Sequence, residues 1–254
     1  GIEKATVYKD YKKMLAAEDI EVIHVLTPNV SHAEISIAAL KAKAHVMCEK
    51  PMAMSGKEAR AMCAAAKKAK RKLTIGYQSR SRPECQYLRR CIQQGELGEI
   101  YYVKCPSIRR RGVPGWGVFI DKEQQGGGPL IDIGTHSIDL ALYLMGNYDV
   151  ASVMGTSYRK LADTAVDSNG MGSYDPAKFT TEDSAFGFVR FRNGCTMIVE
   201  SSWALNIVDG GKTVLCGTKG GVELGTPLKF NGERDGSLYV QDVTPNDRSR
   251  DLFP

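Results

Sequence analysis

Three short apolar runs, separated by two amphipathic stretches, organise the first third of the chain. Val22-Ile23-His24-Val25-Leu26-Thr27 is apolar and short enough for a buried strand, and it breaks at Pro28-Asn29. A helix is predicted over 31–43, with Ile35, Ala38, Ala39 and Ala42 at i, i+3, i+4 and i+7. A second strand, 45–49, runs into Lys50-Pro51. Ser55-Gly56-Lys57-Glu58 then has the form of a capping box and opens a helix carrying Ala59, Met62, Cys63 and Ala66 at the same spacing. A third strand, 73–78, closes the set. Strand, helix, strand, helix, strand with short connections predicts a βαβαβ half of a doubly wound parallel sheet.

Beyond residue 79 the rhythm changes. Pro83 opens a helix to about 94, stopped by Gly95, and a strand follows over 100–109. Gly126-Gly127-Gly128 leads into a long, mostly apolar helix predicted over 129–145 and ended by Gly146. Strand-like runs come next at 150–159, 184–192, 195–203, 212–217 and 237–243, with Asn193-Gly194 as a hairpin turn. Successive strands without helices between them predict a mainly antiparallel sheet. The expected architecture is therefore α/β, with domains at 1–79 and 80–254. The polar stretch 160–180 reads as a surface excursion or a lid.

Composition narrows the class without naming a chemistry. With 43% hydrophobic and 25% charged residues in 254, the chain is an ordinary globular one of one or two domains. Its 34 Lys plus Arg against 29 Asp plus Glu leave only +5, dispersed along the sequence, so no nucleic-acid partner is expected. The densest run, 67–72, closes a predicted helix, where cations suit the dipole. Seven cysteines without a Cys-x-x-Cys pair fit reduced, core-type thiols, and no apolar run approaches the ~18 residues that span a bilayer. A cytoplasmic protein without a membrane partner is expected. Both ends read as interrupted: Gly1-Ile2-Glu3-Lys4 enters the middle of an α/β unit, and 244–250 closes no element.

In an open parallel sheet, ligands bind beyond the carboxyl ends of the strands. Those ends carry Thr27-Pro28-Asn29, Glu49-Lys50-Pro51 and Gly76-Tyr77-Gln78. Lys50, held extended before a proline, reads as a proton-handling or charge-positioning group or as a solvent lysine. In the helix predicted over 129–145, Asp132, His136, Asp139 and Tyr143 fall on one stripe at i, i+4, i+7 and i+11. Ionisable groups on an otherwise apolar helix are costly unless paired or used. Asp132 can reach His136 one turn on, as a general-base pair or as a satisfied core pair. A metal site is not expected, because His24, His32 and His45 lack ligand spacing to that pair. No Gly-x-Gly-x-x-Gly, Walker A or Gly-x-Ser-x-Gly signature occurs.

Thr27-Pro28-Asn29-x-x-His32, Cys48-Glu49-Lys50-Pro51 and Gly126-Gly127-Gly128-Pro129-Leu130-Ile131-Asp132-Ile133-Gly134-Thr135-His136 strongly resemble the Gfo/Idh/MocA family. The resemblance implies the C-terminal half of a Rossmann domain followed by an α/β domain with a large, open, mainly antiparallel sheet that supports homodimers or homotetramers. It implies an NAD- or NADP-dependent oxidoreductase acting on a sugar, inositol or related polyol. Lys50 would position the substrate hydroxyl, Asp132 would hold substrate and orient the base, and His136 would be the general acid/base. Thr27, Pro28, Asn29, His32, Glu49, Lys50 and Gln78 would touch the cofactor, with Arg80, Trp116 and Tyr158 at the substrate rim.

The family's phosphate-gripping glycine loop and its NAD-or-NADP selector would precede residue 1, and its closing helix would follow residue 254. A chain without that loop is expected to bind dinucleotide weakly. Two other readings follow from relatives: a non-catalytic dinucleotide- and sugar-binding regulator, and an NAD-dependent glycosidase.

Overall fold

The computed structural model describes residues 5–164 and 166–246; Gly1-Ile2-Glu3-Lys4, residue 165 and the stretch from 247 onward, where both interrupted ends were expected, lie outside the described residues. The chain divides into two units, 1–76 with 123–126, and 77–122 with 127–254.

The first unit opens with α1 (Tyr11–Ala17), followed by β1 (Val22–Val25), α2 (Asn29–Lys41), β2 (His45–Cys48), α3 (Gly56–Ala69) and β3 (Leu73–Ile75). Its three strands pair in parallel in the order β1-β2-β3. Val25, Leu40, Val46, Cys48 and Met62 are buried in its core. Ser55 caps α3 by accepting the Glu58 amide at 3.2 Å, and Lys67 and Lys68 fall in the last turn, as the sequence predicts.

Three details differ from the sequence reading. The buried face of α2 runs through Asn29, His32, Ala33, Ser36, Ala39 and Leu40, and Ala42 is exposed. The helix starts two residues earlier than its apolar periodicity suggests, and a buried histidine takes the place of an aliphatic side chain. Cys63 of α3 faces solvent. The third strand stops at Ile75, and Gln78 lies exposed in a single 3₁₀ turn, Gln78–Ser81.

The second unit continues with α4 (Pro83–Gln93), β4 (Ile100–Ile108), the short α5 (Lys122–Gln125) at the boundary of the units, a π-helical turn (Leu130–Gly134) and α6 (Thr135–Met145). Seven strands follow: β5 (Val150–Tyr158), β6 (Ser184–Phe191), β7 (Thr196–Ser202), β8 (Val214–Gly217), β9 (Gly221–Glu223), β10 (Leu228–Arg234) and β11 (Ser237–Val243). They join β4 in one eight-stranded sheet, β11-β10-β9-β8-β4-β7-β6-β5. Every pairing is antiparallel except β4 with β7, which the long connection through α6 allows to run parallel. The α/β class with a small parallel sheet and a large, mostly antiparallel one therefore stands.

Side-chain alternation divides the large sheet into two faces. Leu88 and Cys91 of α4, with Leu140, Ala141 and Leu144 of α6, pack onto Val103, Cys105, Val189, Phe191, Met197, Val199 and Leu215. The other face presents Phe188, Met154 and Tyr158 to solvent, and β5 is exposed along its whole length. The stretch 160–180 is no detached lid: Ala162, Tyr174 and Phe179 are buried with Val113 and Trp203 in a further apolar cluster. No helix among the described residues is long and apolar enough to cross a membrane.

Candidate active site

In the first unit, the expected cofactor residues gather at the carboxyl ends of β1 and β2. Thr27 follows β1, and its hydroxyl accepts from Ser31 Oγ at 2.7 Å. The Asn29 amide donates to the Gln125 carbonyl at 2.9 Å, tying α2 to the segment before the triple glycine. His32 is buried, with Nδ1 2.7 Å from the Pro51 carbonyl oxygen and Nε2 2.8 Å from that of Thr27. The imidazole thus braces the ends of two strands against each other.

Glu49 turns back on the chain. Its Oε2 accepts the Lys50 amide at 3.2 Å, and its carboxylate covers Gly76, where a β-carbon would lie 3.2 Å from Oε1. A glycine at the end of β3 leaves room for that carboxylate. Lys50 is half-buried and joined to Pro51 by a cis peptide bond, between a buried proline and the Glu49 carboxylate. The exposed Leu26 and Thr27, with Glu49, present an apolar edge, a hydroxyl and an accepting carboxylate at the strand ends, groups that fit the uncharged part of a dinucleotide.

The second unit holds the carboxylate–imidazole pair. The predicted continuous α-helix over 129–145 is instead a π turn followed by α6. Such wider turns loosen the hydrogen-bond ladder and recur at functional sites. The sheet beneath supplies the missing partners. Ser107 of β4 points its hydroxyl at the Ile133 carbonyl, 3.1 Å away, and at Ser137 Oγ, 2.9 Å away. Gly134 lies directly on Ser201 of β7, the cross-strand neighbour of Ser107. Upstream, the Gly128 amide donates to Glu182 Oε1 at 2.9 Å, and the Gly128 carbonyl accepts from the Asp132 amide at 3.1 Å.

Asp132 is thereby buried on the π turn, and His136 stands half-buried one turn later. Trp203, buried beyond the end of β7, donates its indole N–H to Asp132 Oδ2 at 3.0 Å. Tyr77 meets the His136 ring edge-on with centroids 6.4 Å apart, and its hydroxyl lies 2.8 Å from Thr135 Oγ1. Burial pushes the Tyr77 phenol above its usual range, so it stays neutral beside the imidazole.

Sequence reasoning missed Trp203, and it places Tyr77 only as part of the third strand end, with no link to His136. Residues 197, 199 and 201 of β7 face α6, and the same alternation carried two positions further puts Trp203 there.

The rest of the predicted stripe is structural. Asp139 is gripped by Arg80, through Nε to Oδ2 at 2.7 Å and through a second, shorter contact from Nη2 to Oδ1. The Arg80 guanidinium lies 5.1 Å from the Tyr143 ring centroid, and Gln86 donates to Tyr143 Oη at 3.0 Å. The bonds Arg80 donates to the Asp139 carboxylate hold its guanidinium still more firmly charged than usual. Arg80, expected at the substrate rim, clasps the 3₁₀ turn to α6. Trp116 is exposed and stacks edge-on against Phe119. Tyr158 lies on the open sheet face beside a cavity of about 350 Å³ that Lys160, Ser184 and Asn206 also line. Phe186, Ser184 and Ser202 share that face, opposite the one carrying α6, so Tyr158 is not beside the Asp132–His136 pair. Among the described residues, no group of three or more His, Cys, Asp or Glu is placed to hold a metal ion.

Fold and motifs together define a chain with a Rossmann-like parallel unit and a mainly antiparallel α/β unit. Residues 2–77 match the oxidoreductase family with an NAD-binding Rossmann fold, and residues 85–223 match the GFO/IDH/MocA C-terminal domain; the chain belongs to this family. It is 44% identical over 238 residues to D-glucoside 3-dehydrogenase of Escherichia coli (strain K12), covering 93% of this chain and 67% of that enzyme. It is 30% identical over 213 residues to levoglucosan dehydrogenase of Pseudarthrobacter phenanthrenivorans, covering 80% of this chain and 54% of that protein. The crystal structure of an oxidoreductase domain protein from Kribbella flavida superposes with a TM-score of 0.82 at 26% identity, covering 95% of this chain and 66% of that one. The chain thus spans about two thirds of the E. coli enzyme's length and about half that of the Pseudarthrobacter one.

Proposed function

We propose that this protein transfers a hydride between a hydroxyl of a sugar, inositol or related polyol and NAD or NADP, with a D-glucoside as the first substrate to test. The observation that carries the reading is a buried carboxylate on a π turn, one turn before an imidazole, in a chain 44% identical to a glucoside dehydrogenase. Bound nicotinamide supplies the hydride acceptor or donor. His136 takes the proton from the substrate carbinol oxygen as the hydride leaves carbon. Asp132 holds a neighbouring part of the substrate and keeps the imidazole oriented. Lys50 donates a hydrogen bond to the reacting oxygen and stabilises the negative charge that builds there.

Thr27, Pro28, Glu49, Lys50 and Gln78 line the cofactor's path, while Asn29 and His32 act by holding the loops that bound it. The open sheet face with Met154, Tyr158 and Phe188 supports a homodimer or homotetramer. Seven free cysteines, five of them buried, support a cytoplasmic location.

The test is reduction of NAD and NADP by the full-length protein across glucosides, inositols and anhydro sugars, followed in the near-ultraviolet absorbance of the reduced nicotinamide. Turnover is expected, falling ~10²-fold or more in Lys50→Ala and in His136→Ala. Dinucleotide binding without turnover on any of these would replace this reading by the regulator. Release of phenol from aryl glycosides without net reduction would replace it by the glycosidase.

A further inference from the structure

We propose that Trp203 is a positioning residue for the reaction, acting through Asp132; the inference rests on the role assigned above to Asp132 and His136. The indole N–H reaches Asp132 Oδ2 over 3.0 Å between two buried side chains. An indole is a donor only, so it bonds the carboxylate without exchanging a proton with it. A neutral donor also leaves the charge of Asp132 in place, which a lysine or arginine in the same position would offset.

The indole is itself held rigidly. Phe179 packs edge-on against it with centroids 6.2 Å apart, and Tyr174 stacks on Phe179 in turn. The Trp203 backbone is pinned as well, since its amide donates to the Asp183 carbonyl at 3.0 Å. Asp183 in turn accepts the amides of Lys160, Leu161 and Ala162 on one carboxylate oxygen, at 2.7, 2.6 and 2.9 Å. That fixes the start of the 160–180 excursion, whose Ala162, Tyr174 and Phe179 close over the indole. The excursion thereby holds the indole that bonds Asp132 Oδ2, and through it the rotation of that carboxylate. A fixed carboxylate oxygen determines where its second oxygen points, and so the direction in which Asp132 meets its other partners.

The chain has two tryptophans, so the indole signals can be resolved and assigned. In full-length protein labelled with fluorotryptophan, the Trp203 resonance is identified as the one that persists in Trp116→Phe. It is expected to shift in Asp132→Asn, while the Trp116 resonance stays in place. An unmoved Trp203 resonance overturns the proposal. This readout needs no activity and no Trp203 variant, so a Trp203→Phe protein that fails to fold does not remove it.

The kinetic arm compares Trp203→Phe, which keeps a buried ring and loses the donor. Losing one hydrogen bond to a charged group predicts a kcat about 10- to 100-fold lower with KM changed far less. An unchanged kcat in a folded Trp203→Phe protein overturns the proposal. A wild-type protein without turnover overturns the hydride-transfer reading instead, and the fluorine shift then judges the Trp203–Asp132 link alone.

Discussion

Gly128 packs against the backbone of Glu182, so closely that a β-carbon at position 128 would stand 2.1 Å from the Glu182 carbonyl oxygen. Backbone cannot step aside as a flexible side chain can. Gly128→Ala is expected to destabilise the second unit by about 1–3 kcal/mol, the usual cost of overpacking, and to move the π turn that follows. Gly127→Ala is the control: its β-carbon would meet Ile131 Cγ2 at 3.4 Å and the two Glu182 carboxylate oxygens at 3.6 Å, all ordinary contacts. Thermal denaturation of the two variants should separate them, and equal stabilities would show that the loop at 128 relaxes freely.

Arg80 and Asp139 form a two-bonded ion pair with the carboxylate side chain only 11% exposed. Arg80→Ala leaves that carboxylate without its partner and strips the cation from the Tyr143 face. Stability is expected to fall by about 1–3 kcal/mol, the range for losing a hydrogen-bonded charge partner. Arg80→Lys should recover little of it, because an ammonium cannot bond both oxygens in the guanidinium's planar geometry. A double-mutant cycle with Asp139→Asn checks the assignment; additive losses would mean the pair contributes nothing jointly.

His32 joins the carbonyls of Thr27 and Pro51 from inside the first unit. A neutral imidazole donates to one of them and an imidazolium to both. His32→Phe keeps a ring of comparable bulk but removes the N–H that the buried imidazole donates to these carbonyls. The expected loss is about 1–3 kcal/mol in chemical denaturation, accompanied by weaker dinucleotide binding by the full-length protein as the loop carrying Lys50 shifts. Unchanged binding alongside lost stability would separate the brace from the cofactor site.

Much of the architecture was legible because it rests on local signals. The apolar runs around Val25, Val46 and Leu73, the Ser55 cap and the Asn193-Gly194 turn each act over a few residues, and each sits where its pattern predicts. What escaped depends on partners distant in sequence. The π turn at Leu130–Gly134 exists because Ser107 and Ser201, on two other strands, receive it, and nothing in the periodicity of 129–145 encodes that. Arg80 enters the sequence reading only as a substrate-rim residue implied by the family resemblance, and its pairing with Asp139, 59 positions away, is seen only in the fold. The polar face of α2 misled for the same reason, since the carbonyls that satisfy His32 come from outside the helix.

Burial determines how the cysteines behave toward base. The Cys105 thiol, enclosed beneath α6, is pushed up to about 12, and that of Cys85 to about 11, from an ordinary value of 9.0. Burial is the main cause in both, with nearby Glu200 and Glu84 adding to it. Above pH 9 the unfolded chain releases these protons while the folded chain keeps them. The unfolded state then binds fewer protons, so stability must fall as pH rises, through about 11 for Cys85 and about 12 for Cys105. Below pH 9 both states hold the proton, and these groups contribute no pH dependence. Each site adds a slope of about 1.4 kcal/mol per pH unit within its window. Denaturation midpoints measured from pH 8 to 11 should therefore fall less steeply in Cys105→Ala than in the parent, after allowing for the variant's lower starting stability. Identical slopes would place the Cys105 thiol in contact with water. Under the same conditions, alkylation should begin at the exposed Cys63 and leave Cys105 unmodified until the fold opens.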